Sequence, residues 1–265
     1  SSSVAKSLRI PSMIVGLTIV AMGTSLPELA VSVTASLAGN NALAVSNVIG
    51  SNIFNLMLVC GACALFAPLI VQKNTLKKEI PLSVVCVVLL LVLGLFGMEI
   101  GRTDGVILLI LFIGFLVWMV KSALKAHAES ANLEESDNEY KIYPAWVCVI
   151  YIVGGAVAIK FGGDFVVDGA SAVAMKAGLS QNLVGLTIVA MGTSLPELVT
   201  TVTAILKKES SLSVGNIIGA NMIDSAFILP ICTLLSGEKL PVSLQMAQID
   251  MPLCILISVL ALLPM

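Results

Sequence analysis

Charge is scarce in this chain. Of its 265 residues only 11% are Asp, Glu, Lys or Arg and 5% are aromatic, where a soluble domain carries about 25% charged residues. So few charges cannot clothe a soluble globule in water-compatible groups. The formal net charge is −2 and there is no basic block, which argues against a nucleic-acid partner. There is a single histidine, His127, in a polar stretch. The membrane segments therefore hold no imidazole for a serine-type protease or a zinc site. The six cysteines (Cys60, Cys63, Cys86, Cys148, Cys232 and Cys254) all lie in apolar segments and read as thiols rather than a disulfide framework. No cleavable signal is expected, since the first ten residues carry Lys6 and Arg9 with no apolar stretch before them.

What the chain has instead is apolar length: 58% hydrophobic residues and a mean hydropathy of +1.05. Eight segments are expected as membrane helices, at 11–38, 42–68, 80–98, 104–122, 144–175, 182–206, 211–235 and 250–265. The expected fold class is all-α, a polytopic transmembrane protein. A polar linker, 125–141, divides four segments from four.

The decisive feature is an internal repeat. Residues 16–29 read GLTIVAMGTSLPEL, and residues 185–198 read the same fourteen letters. The register continues at an offset of 169, with 24 identities over 43 positions from 16–58. Asn47 matches Asn216, Gly50 matches Gly219 and Asn52 matches Asn221, while Asn55 faces Asp224 and Ser51 faces Ala220. Five segments separate one copy from the next, so the second enters the membrane from the opposite side. Inverted repeats of this kind build many secondary transporters. The expected organisation is a first repeat over 1–124, the linker, and a second repeat over 142–265. The alignment predicts five helices per repeat, ten in the complete protein, with the first and last outside this chain.

Basic residues orient the topology. The side preceding the first segment carries ten of them, including Lys73, Lys77, Lys78, Lys207 and Lys208, against Arg102, Lys176 and Lys239 on the other. By the positive-inside rule the first side, with the 125–141 linker, is cytoplasmic. The expected location is the plasma (inner) membrane.

Glu28 and Glu197 lie deep in apolar segments, and Asp224 is a third acid in the segment after the second motif. A carboxylate at mid-membrane costs about 2.5–3.5 kcal/mol even on an insertion scale, so it marks function. Three acids at one repeat interface repel unless cations or protons neutralise them. Pro27 and Pro196 lack an N–H and should break their helices near Gly23 and Gly192, freeing carbonyls such as those of Ala21 and Thr24. Thr24 and Ser25 stand four and three residues before Glu28, so their oxygens can gather with it. Carboxylates, hydroxyls and carbonyls without His or Cys select hard cations. The same letters, Ser25-Leu26-Pro27-Glu28, also fit a capping box. Asn55 fits a helix–helix hydrogen bond as well as a ligand. The Gly50 and Gly219 neighbourhoods allow close helix packing or a second break. Asp164 and Asp168, with Lys160 a turn earlier, read as an interfacial charge group.

Two copies of GTSLPEL, each followed by N-[VI]-I-G-[SA]-N, resemble the alpha repeats of the sodium/calcium exchanger family, within the cation/calcium antiporters, and most of all its prokaryotic members. The resemblance implies a ten-helix inverted-repeat antiporter, not an enzyme, without cofactor, exchanging Na⁺ for Ca²⁺ by alternating access. It implies Glu28 and Glu197 as central carboxylates, with Thr24, Thr193, Ser25, Ser194 and Ser51 and the carbonyls of Ala21 and Ala190 as further ligands. Asn55 and Asp224 fall at the middle position, and Ala220 departs from the usual serine. The implied partners are inorganic cations and membrane lipid, with no nucleic acid and no protein partner. Proton-coupled Ca²⁺ exchange and K⁺-dependent Na⁺/Ca²⁺ exchange are the alternatives. An aspartyl-type protease is disfavoured because Asp224 has no mate except Asp164, near the opposite surface.

Overall fold

The computed structural model describes residues 12–67, 71, 75–130, 144–178 and 190–260. Within them the chain is helical apart from short connections and one two-residue strand pair. The first segment is broken. Its first half, α1, runs Ser12–Val15, a π-helical turn Gly16–Val20 and Ala21–Thr24, and its second half is α2, Leu26–Leu37. The halves meet at Ser25 (φ −81°, ψ 7°) with a bend of 46°. Proline at the second position of α2 explains the break, because it cannot donate to the carbonyl four residues earlier. The break falls at Ser25, two residues beyond the expected Gly23. The second repeat does the same: α7 (Ala190–Thr193) and α8 (Leu195–Leu206) meet at Ser194, not at Gly192.

The long helices are α3 (Asn41–Phe66), α4 (Thr75–Leu95), α5 (Arg102–Ser130), α6 (Ala145–Lys176), α9 (Ser210–Leu235) and α10 (Met246–Leu260). Among the described residues four helices are long and apolar enough to span a membrane, and the bent α1–α2 pair makes a fifth. Helices α4 and α5 differ from the sequence expectation at their ends, and α10 starts at Met246 rather than at 250. Helix α4 starts at Thr75 and stops at Leu95, where Gly97 (φ +87°) and Met98 (φ +57°) turn the chain. Helix α5 runs on through 125–130 of the expected linker, because Ala123, Ala126 and Ala128 favour the helix. The rest of the linker lies outside the described residues, as does the stretch 181–189.

Beyond α4, β1 (Glu99–Ile100) pairs antiparallel with β2 (Leu240–Pro241), joining loops of the two repeats on one side. Lys239 forms an ion pair with Glu99 there. On the other side the Lys78 ammonium sits 5.7 Å from the Trp118 ring centroid, tying α4 to α5.

The core lies at the crossing of the two repeats. Helix α9 is buried along nearly its whole length. It crosses α1 at backbone contact. A Cβ on Gly16 would meet the Leu212 carbonyl at 2.5 Å, one on Gly215 the Met13 carbonyl at 2.5 Å, and one on Gly219 the Leu17 carbonyl at 2.5 Å. Small residues permit such approach, as in membrane helix pairs generally. The Gly219 neighbourhood thus serves close packing, and helix Ser210–Ile223 passes through it unbroken. The apolar surface left outside, including Val85, Val92, Ile110, Ile113, Leu253 and Leu256, faces outward from α4, α5 and α10.

Candidate cation site

The break at Ser25 sets the site. A serine there has no helical position of its own, and its hydroxyl makes no capping bond. It reaches across the interface and donates to Glu197 Oε1 of the other repeat at 3.2 Å. Ser194 donates in the reverse direction to Glu28 Oε1 at 3.0 Å. The capping box that Ser25–Glu28 could also have formed is absent. Each serine serves the opposite carboxylate.

Around this crossed pair the repeats exchange further contacts. The Thr24 hydroxyl lies 3.3 Å from Asn216 Oδ1, and Thr193 donates to Asn47 Oδ1 at 3.5 Å. Asn47 Nδ2 donates to Ser32 Oγ at 3.1 Å and Asn216 Nδ2 to Thr201 Oγ1 at 3.0 Å, which fixes both amides. Ser51 and Ser194 hydroxyls are 2.8 Å apart. Since Ser194 spends its proton on Glu28, Ser51 is left to donate to Ser194. One layer along, Asn52 Nδ2 donates to Ser225 Oγ at 2.7 Å and Asn55 Nδ2 to Asn221 Oδ1 at 3.1 Å.

Glu28, Glu197 and Asp224 are each 0% exposed, and Glu28 lies within electrostatic reach of both other acids. Six oxygens in this layer have no protein hydrogen-bond partner: Glu28 Oε2, Glu197 Oε2, both Asp224 carboxylate oxygens, Asn52 Oδ1 and Asn55 Oδ1. All are acceptors. Buried acceptors without donors are rare and call for a ligand. Positive charge or protons satisfy them, and a neutral donor would leave the carboxylates uncompensated. No three His, Cys, Asp or Glu side chains among the described residues gather tightly enough to hold a metal by themselves. The acids are interleaved with hydroxyls and amides, a donor set for hard cations.

The two π-helical turns Asn55–Val59 and Asp224–Ile228 begin at the facing pair Asn55 and Asp224. Such turns concentrate at functional sites because they rotate one residue out of the α-helical register. Beside the site a cavity of about 830 Å³ opens between α1–α2 and α6, touching Thr24, Pro27, Pro196 and Thr200.

Of the expected ligands, Glu28, Glu197, Ser25, Ser194, Ser51, Thr24 and Thr193 are brought together in one network, and Asn55 and Asp224 sit in the adjoining layer. The Ala21 carbonyl already accepts from Ser25 N–H at 2.9 Å and lies 3.2 Å from the Thr24 hydroxyl. No contact of Ala190 is described. Asp168 is exposed, while the side chains of Lys160 and Asp164 and of His127 lie outside the description. Sequence reasoning left out the four amides Asn47, Asn52, Asn216 and Asn221. Their recurrence at the repeat offset was the available signal, since uncharged amides have no other reason to be duplicated at bilayer depth.

A buried, oxygen-lined layer at the crossing of two broken helices defines a membrane transporter of inorganic cations rather than an enzyme. A family model described as sodium/calcium exchanger protein matches residues 1–121 and 147–265. The chain belongs to that family. It is 41% identical over 237 residues to the putative antiporter CaxA of Alkalimonas amylolytica, covering 89% of this chain and 74% of CaxA. It is 36% identical over 254 residues to the inner membrane protein YrbG of Escherichia coli, covering 92% and 76%. Its fold is similar to that of the sodium-calcium exchanger NCX_Mj soaked with Na⁺ and Sr²⁺, with a TM-score of 0.82 and 31% identity over 98% of this chain and 81% of that one. The protein is accordingly a multi-pass membrane transporter with the exchanger fold.

Proposed function

We propose that the protein exchanges Na⁺ for Ca²⁺ by alternating access at the crossed Ser–Glu layer, importing Na⁺ to expel Ca²⁺ across the plasma membrane. In this reading residues 1–124 and 142–265 are the two inverted repeats, and 125–141 is a cytoplasmic linker. The observation that carries it is the pair of bonds Ser25–Glu197 and Ser194–Glu28, which holds one oxygen of each carboxylate and leaves the other oxygen without a partner.

One Ca²⁺ between Glu28 and Glu197 offsets their charge. Na⁺ ions at the flanking hydroxyls of Thr24, Thr193, Ser25, Ser194 and Ser51, with the carbonyls of Ala21 and Ala190, offset the same charge instead. Asn55 and Asp224 complete the middle position. The two loads exclude each other because they neutralise the same carboxylates. An empty site leaves those charges buried without compensation, which opposes the crossing and limits leak. The abundance of hydroxyls around the acids favours Na⁺ over protons as the counter-ion, since proton carriage needs no hydroxyl ligands. Similarity to NCX_Mj, whose structure was obtained with Na⁺ and Sr²⁺, supports the same choice. Proton coupling is the second reading, favoured by the two partnerless oxygens of Asp224.

Equilibrium ⁴⁵Ca²⁺ binding to the purified protein tests the competition. Na⁺ should displace Ca²⁺ while choline at equal ionic strength does not. Displacement by acid alone, with Na⁺ ineffective at neutral pH, would overturn Na⁺ exchange in favour of protons.

A further inference from the structure

Matched at the offset of 169, three side-chain contacts of the crossed layer have a counterpart in the other half. Ser194–Glu28 at 3.0 Å answers Ser25–Glu197 at 3.2 Å, Thr193–Asn47 at 3.5 Å answers Thr24–Asn216 at 3.3 Å, and Asn47–Ser32 at 3.1 Å answers Asn216–Thr201 at 3.0 Å. One side-chain contact of the Ser–Glu layer has no mate. Ser51 Oγ stands 2.8 Å from Ser194 Oγ, whereas the partner of Ser25 in the other half would have to come from Ala220, a fully buried methyl. Ser225, an extra hydroxyl of the second half, does not replace it, because it accepts from Asn52 at 2.7 Å in the adjoining layer.

The Glu28 end therefore carries the serine pair Ser194 and Ser51, whereas at the Glu197 end Ser25 and Thr24 stand near the carboxylate and the place of the second serine is a methyl. A cation entering a buried site must have its lost hydration oxygens replaced one by one. A methyl replaces none, and at 0% exposure water has no ready path to do so. We propose that Ala220 removes one of two flanking Na⁺ seats, so that Na⁺ binds at the Glu28 end and not at the Glu197 end. The exchanger then moves fewer Na⁺ per Ca²⁺ than a symmetric site would. Central Ca²⁺, held by both carboxylates, keeps its ligands. This inference rests on the Na⁺/Ca²⁺ reading above.

The test is the Na⁺ concentration dependence of Ca²⁺ efflux from proteoliposomes, for the wild type, Ala220→Ser, Ser51→Ala and the double variant Ser51→Ala/Ala220→Ser. Serine is the residue that the equivalent position already accommodates, so Ala220→Ser fits the fold. It should raise the Hill coefficient by about one, since that coefficient can rise to the number of sites. It should also lower half-saturating Na⁺ by about three- to tenfold, the scale of one added polar contact. Ser51→Ala, which removes the remaining flanking seat, should raise half-saturating Na⁺ by about three- to tenfold, and the double variant, with the seat moved to the other end, should return to the wild-type curve. A wild-type Na⁺ curve in Ala220→Ser, or a double variant no better than Ser51→Ala, would overturn the proposal. Ca²⁺ flux without Na⁺ dependence in all four proteins would instead overturn the exchange reading, and this inference with it.

Discussion

Ser194 donates to Glu28 at 3.0 Å across the interface between the repeats, from a helix break that leaves its hydroxyl no capping role at home. Glu28 is thereby oriented by the half of the protein it does not belong to, and Ser25 does the same for Glu197. Movement of one repeat against the other disturbs both carboxylates at once. That coupling gives the consequences below.

Removing either carboxylate should be far worse than removing any hydroxyl. Glu28→Gln and Glu197→Gln keep shape but halve the charge available to a divalent ion, and ligand charge count sets affinity in oxygen sites. Ca²⁺ binding should fall by about a hundredfold or more in each, a loss of the scale seen when a buried pair is broken. Titration calorimetry on the purified variants, with monodispersity as the folding control, reads this.

The two serines should not be equal. The Ser25 hydroxyl bonds to Glu197, whereas Ser194 touches both Glu28 and Ser51. At about 0.5–1.5 kcal/mol per hydrogen bond, Ser25→Ala should weaken Ca²⁺ binding by about two- to tenfold and Ser194→Ala by more. Equal losses would argue that the Ser51 contact does nothing.

Pro27 should matter for transport rather than for folding. With alanine there, the helix can run on from α1 into α2, and the 46° bend loses its cause. Pro27→Ala should retain or raise the melting temperature in detergent while exchange drops. Retained exchange with an unchanged bend in the variant's structure would show that tertiary contacts alone hold the break.

Gly219 is a packing position, and Gly114 is a matched control. A Cβ on Gly219 meets the Leu17 carbonyl at 2.5 Å and Ala21 Cβ at 2.7 Å, while one on Gly114 meets nothing within 4 Å. Gly219→Ala should destabilise by about 1–3 kcal/mol through overpacking. Gly114→Ala should be neutral, or stabilising by about 0.5–1 kcal/mol in a helix interior. Thermal unfolding by intrinsic fluorescence separates the two.

Much of this was legible in the letters because each strong signal has a local cause. Pro27 and Pro196 announce the breaks, the apolar runs announce the helices, and Glu28, Glu197 and Asp224 are too costly in a membrane to be incidental. The shift of each break from glycine to the following serine was not legible, because it depends on which hydroxyl finds a partner across the interface. For the same reason the capping-box reading failed: Ser25 and Ser194 had a stronger acceptor in a repeat 169 residues away. The roles of Asn47, Asn52, Asn216 and Asn221 are likewise tertiary, since amides carry no charge to betray them. Helix α5 outran its expected end because alanine and lysine prolong a helix into water, where hydropathy no longer marks it.

The most direct measurement is ⁴⁵Ca²⁺ uptake into proteoliposomes loaded with Na⁺, with Glu197→Gln alongside. Uptake should require the outward Na⁺ gradient, collapse when Na⁺ is equal on both sides, and vanish in the variant. Uptake driven as well by an outward proton gradient in the absence of Na⁺ would contradict Na⁺/Ca²⁺ exchange and establish protons as the counter-ion.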